Sequence, residues 1–122
     1  MRSNLHTLDE VRFQKVWQGI SARIVEGEQI TFAVVELERD GTVPSHQHAN
    51  EQMGLIIRGQ ITFRVGDEER TFGPGGTWRI PSNVPHGATV GPDGATVVDV
   101  FNPIRDDWHA APIDDEVTPR WP

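Results

Sequence analysis

The stretch GTVPSHQHANEQMGLIIRG, Gly41 to Gly59, decides the fold of this chain. It holds a short strand, Val43 to His48, and a buried one, Gln52 to Arg58, joined by a few polar residues and ended by Gly59. His46 and His48 stand two apart, so a strand turns both side chains to one face. Gln52 follows four residues on, and a lone His86 comes after a Gly/Pro-punctuated turn. Three imidazoles and one amide oxygen converging on a point suit a divalent transition metal. Glu51 competes with Gln52 for the fourth position, but neighbours on a strand face opposite ways, and alternation selects Gln52.

Outward from this stretch the chain keeps the same style. Ile20 to Val25, Ile30 to Leu37, Gln60 to Val65, Glu68 to Phe72, Thr77 to Ile80, Gly87 to Val90 and Ala95 to Phe101 are short, alternating, β-branched runs. Gly66-Asp67 reads as a hairpin turn, and Gly73-Pro74-Gly75-Gly76 and Gly91-Pro92-Asp93-Gly94 as further turns. Only Thr7 to Lys15 suits a helical turn, beside an apolar N-terminal strand from Val11 to Trp17. Nine or ten strands with tight turns predict an all-β sandwich or barrel. The acidic, proline-rich stretch Arg105 to Pro122 is expected as an extended tail, packed on its own barrel or a neighbour, or loose.

Composition removes several function classes. The chain has 122 residues, 18 acidic against 11 basic, for a net charge of −7. That balance argues against nucleic acid or an anionic membrane as partner. There is no cysteine, which excludes thiolate metal sites, disulfides and thiol catalysis. The polar N-terminus lacks the apolar core of a signal peptide, and no apolar run is long enough to span a bilayer, so a cytoplasmic protein is expected. The length fits one domain, with an N-terminal arm over 1–19, a barrel core over about 20–102 and a C-terminal tail over 103–122.

At these positions the chain resembles the cupin superfamily. Gly41, His46, His48, Gln52 and Gly59 match its first motif, with glutamine where most metal cupins carry glutamate. Gly75/Gly76, Pro81, Asn83 and His86 match the second, with asparagine where glycine is usual, the other residue that tolerates left-handed backbone. The resemblance runs from about Ile30 to Phe101. It implies a jelly-roll β-barrel with the ligands facing inward, and commonly a homodimer.

One departure has electrostatic weight. Three histidines and a glutamine leave the metal's charge of +2 uncompensated, which makes a stronger Lewis acid and disfavours high oxidation states. The donor set does not distinguish zinc, nickel, iron, cobalt or manganese. His6 and His109 lie outside the motifs and are expected at the surface.

Further along, Asp99 interrupts an apolar strand whose mixed face carries Val97, Asp99 and Phe101. A carboxylate there is costly unless paired or functional. The run Asp99-Val-Phe101-Asn-Pro-Ile-Arg105, the Glu51-Gln52 pair and Ile80-Pro81-x-Asn83-Val84-x-His86-Gly87 resemble the pectin-degradation cupins of the KdgF type. That resemblance implies metal ligation by His46, His48, Gln52 and His86. It also implies a catalytic pocket lined by Asp99, Phe101 and Arg105, and linearisation of a 4,5-unsaturated uronate, a small anionic substrate. A cupin dioxygenase on the same metal site and a non-catalytic small-molecule-binding cupin are the alternatives. Asp99 and Arg105 would in the blander reading be an ion-paired structural acid and a barrel-end arginine. Trp17, Trp78 and Trp108 read as core or interface residues.

Overall fold

The structure, a computed structural model, describes residues 3–122. After one 3₁₀ turn, Leu8–Glu10, eight strands follow: β1 (Phe13–Trp17), β2 (Ile20–Glu26), β3 (Thr31–Leu37), β4 (Thr42–His46), β5 (Glu51–Val65), β6 (Glu68–Phe72), β7 (Thr77–Ile80) and β8 (His86–Asn102). A four-residue helix, α1 (Asp106–His109), precedes the C-terminal tail. All pairings are antiparallel, in the order β1-β2-β3-β8-β5-β6, with β4 also on β8 and β7 also on β5. This is the all-β jelly roll expected of a cupin. Among the described residues no helix is long and apolar enough to cross a membrane.

Two pairs of predicted strands are single elements. Gln52 to Arg58 and Gln60 to Val65 join in β5, and Gly87 to Val90 joins Ala95 to Phe101 in β8. Gly91-Pro92-Asp93-Gly94 therefore does not reverse the chain. It is accommodated as a bulge in β8, where the register steps from Gly59↔Ala95 to Ile61↔Val90. A Cβ on Gly59 would lie 2.0 Å from the Gly94 carbonyl oxygen, and Gly59 has φ +86°. Only glycine lets the two backbones meet that closely. On either side of the bulge β8 has a different second neighbour, β3 over 95–101 and β4 over 86–89.

Inward positions of β3, β5, β7 and β8 supply the core, including Ala33, Val35, Ile56, Ile61, Ile80 and Val97. The outer face is divided. The tail packs on its own barrel: Gln14 donates to the carbonyls of His109 and Ala111 at 2.9 Å each, and the amides of Lys15 and Asp114 bond Pro112 and Phe13 at 2.8 Å. On the outer face the buried Glu36 accepts from the Thr96 hydroxyl (2.6 Å) and, further along the tail, from the Arg120 amide (2.9 Å). Beyond the tail, Phe32, Met53 and Leu55 stay exposed. β1 lies inside the stretch read as an N-terminal arm, and only Leu8–Glu10 of Thr7 to Lys15 coils.

Candidate metal centre

His46 and His86 are direct cross-strand partners on β4 and β8, and His48 stands two residues past the end of β4. Ligand atoms of the three imidazoles lie within 4.8 Å of one another, so the three are positioned to bind a metal ion. Each ring is oriented the same way. Nδ1 of His46, His48 and His86 lies 2.9 Å from the carbonyl oxygens of Pro44, Asn50 and Val84, respectively. A carbonyl only accepts, so Nδ1 carries the hydrogen and each Nε2 is left as a bare lone pair. Such a backbone bond behind a ring is the usual support of a metal-binding histidine.

The donor atoms fit a cation and little else. His86 Nε2 is buried and has no hydrogen-bond partner. Gln52 Oε1 faces His48 Nε2 at 3.2 Å, two acceptors pointing at each other. Gln52 cannot turn its amide round without loss, because its Nε2 donates to Asp99 Oδ1 at 2.9 Å. Burial lowers the pKa of His48, and burial above all lowers that of His86 to about 4, aided by the neighbouring His46 and His48. Both imidazoles are thus neutral near pH 7, as ligation requires.

Gln52 links this cluster to the acid. Asp99 Oδ1 accepts from Gln52 and from the Trp78 indole N–H at 2.8 Å. Burial pushes the Asp99 carboxyl up to about 6, against those two donors and the Arg105 charge. A glutamate in place of Gln52 would bring a second carboxyl to the same spot and lose the donor. The amide therefore serves two sides: its oxygen faces the histidines and its nitrogen holds Asp99.

Gly54 makes the arrangement possible. It pairs with Trp78 on β7 and with Asp99 on β8. A Cβ there would lie 2.1 Å from Trp78 Nε1 and 2.4 Å from Asp99 Oδ1. Gly54→Ala is expected to cost about 1–3 kcal/mol and lower the melting temperature by about 4–12 °C, since a rigid indole and a buried carboxylate must both move. Thermal denaturation against wild type measures it. An unchanged midpoint would mean the three groups are not packed in this way.

Arg105 reaches the same cavity from beyond β8. Its guanidinium lies over the Phe101 ring (4.9 Å) and the Trp108 ring (4.7 Å), which touch each other edge to face, and its side chain is 11% exposed. Its amide donates to Thr31 Oγ1 at 2.8 Å, and Asn50 ties the preceding Pro103 carbonyl at 2.7 Å. Nε also pairs with Asp107 at 3.1 Å, the contact that a barrel-end arginine would make. His46, Gln52, His86, Asp99 and Arg105 all line one small cavity of about 80 Å³. Asp99 is its only carboxylate among the described residues.

Phe101 stands elsewhere. It is fully buried and backs His48 (5.9 Å) and Trp108 (4.8 Å) from behind, so it supports the wall and does not form it. Arg58 is turned to Thr96 and Asp93, and Arg64 to Glu69, both away from the cavity. His109 lies at the surface beside Glu26. Sequence reasoning missed Trp78 as a hydrogen-bond donor. The lone Gly54 inside a buried strand was its only signal, since such a glycine marks close approach.

The Cupin domain family model matches residues 33–101, more than half of the chain, and this protein belongs to that family. Among solved structures, KdgF from Halomonas sp. is 28% identical, with a TM-score of 0.78 over 86% of this chain and 97% of that one. An RmlC-like cupin from Shewanella frigidimarina is 18% identical, with a TM-score of 0.80 over 86% and 95%. A tryptophan-to-phenylalanine variant of oxalate decarboxylase from B. subtilis is 20% identical, with a TM-score of 0.74 over 88% of this chain and 32% of its own. The last two show the fold alone. No curated protein matches the chain.

Proposed function

We propose that this cupin is a metal-dependent enzyme that opens the ring of a 4,5-unsaturated uronate monosaccharide. The observation that carries the reading is the Gln52 amide, joined on one side to the histidine cluster and on the other to the single cavity carboxylate, Asp99. Likeness to KdgF from Halomonas sp. supports the substrate class. His46, His48, His86 and Gln52 would hold one divalent transition metal. When bound, that metal supplies Lewis acidity to a substrate oxygen.

The remaining steps belong to the chain. Arg105, held over two aromatic rings and paired with the exposed Asp107, exchanges that partner for the substrate carboxylate. Asp99 takes the proton of the anomeric hydroxyl as the ring C–O bond breaks and the anomeric carbon becomes an aldehyde. The freed oxygen is then an enol, whose alkene carbon receives a proton as the ketone forms. The reaction is an isomerisation: no atom or electron is gained or lost. The apolar barrel wall, with Val35, Leu37, Ile61 and Val97, keeps water from the enol.

Incubation with the unsaturated uronate tests the reading. Ultraviolet absorbance of the conjugated double bond is expected to decay well above the spontaneous rate with metal-loaded protein, and to fall back after chelation. Equal rates in both samples would remove the substrate and leave the metal centre standing.

A further inference from the structure

We propose that Trp17 is the wall of this cavity that grips the sugar ring, a specificity residue outside the ligand set and the acid; the inference rests on the uronate reading above. β1 pairs regularly with β2 from Phe13↔Arg23 to Lys15↔Ser21, and then the register shifts to Trp17↔Ile20 across a turn through Gly19 at φ +72°. Before the shift, Phe13 lies under the Arg23 guanidinium, against the outer face, and Lys15 is exposed. Simple alternation would send Trp17 out with them and only Val16 inward. Instead Val16 and Trp17, consecutive residues, both line the cavity. A bulge is the backbone device that re-aims a side chain in this way beside a functional site.

The indole is placed for use. Its ring stacks on His46, centroids 6.3 Å apart and planes 21° from parallel, while the residue stays 48% exposed at the mouth. The cavity, about 80 Å³, is open to solvent where Trp17 stands. A sugar entering through that opening passes the indole. A 4,5-unsaturated ring is flattened by its double bond and conjugated with its carboxylate, so it presents a planar face to an indole. Ring opening and ketonisation remove that plane, so the stack favours substrate over product.

The test is Trp17→Ala and Trp17→Phe in metal-loaded protein, with lactate, an acid without a ring, as a competing ligand. Trp17→Ala is expected to raise KM for the unsaturated uronate about tenfold with kcat within about twofold. Trp17→Phe should recover most of the affinity. Metal content and the inhibition constant of lactate should not change. An unaltered KM in Trp17→Ala overturns the inference, as does equal weakening of lactate. Loss of metal in Trp17→Ala overturns it too, because Trp17 would then merely prop His46. A wild type without activity on the uronate ends the functional reading and this inference with it, whereas an active wild type indistinguishable from Trp17→Ala ends this inference alone.

Discussion

Asp99→Asn is expected to lower kcat on an unsaturated uronate by about a hundred- to ten-thousandfold, the usual worth of a positioned acid and base. The choice of asparagine matters. Both bonds to Asp99 converge on one oxygen, Oδ1, from Gln52 and from Trp78. An asparagine carbonyl can accept both, so Gln52 keeps its orientation and Trp78 its partner. What asparagine cannot do is take up and return a proton. Metal content by elemental analysis and the melting temperature are expected to match wild type, while progress curves flatten. A variant with wild-type turnover would reduce Asp99 to a structural acid and favour a barrel that only binds its ligand. Asp99→Ala is a poorer experiment, since it strands two buried donors and confounds chemistry with stability.

His48→Ala is expected to strip the metal. The imidazole is one of three whose bare Nε2 atoms converge, and it lies beside Gln52 Oε1. Losing one of few neutral donors should weaken affinity by at least about a hundredfold, because even partners behind a ligand are worth ten- to a hundredfold. Wild type with metal at a hundred times its dissociation constant gains about 2.7 kcal/mol of stability, and a hundredfold loss of affinity cuts that gain to about 0.4 kcal/mol. Differential scanning calorimetry with and without added metal reads the difference. Since His48 is only half-buried, the apo variant should melt close to apo wild type. An equal metal-induced shift in both proteins would place the cation elsewhere.

The clustered histidines were legible in the sequence because strand alternation is local. His46 and His48 at spacing two, a glycine, asparagine or aspartate where φ is positive, and acceptor side chains at the inward positions of apolar runs are all read residue by residue. Asn83 at φ +62° and Gly59 at φ +86° follow that logic. Strand counting was less faithful. A Gly-Pro-Asp-Gly run has the same local preferences in a reversing turn and in a wide bulge, and only the partner strand, with Gly59 set against Gly94, selects the bulge.

By itself, then, the order of residues determined an all-β chain with three imidazoles and a glutamine aimed at one interior, because side-chain direction along a strand has a period of two. The tertiary structure alone decided which groups meet across strands. It set Gly54 between Trp78 and Asp99, buried Phe101 behind the wall that it was expected to form, and turned Trp17 to the mouth. Those outcomes depend on register, which no residue carries in its own chemistry: the first two arise from strands far apart in the chain, and the third from a register shift in the β1–β2 hairpin.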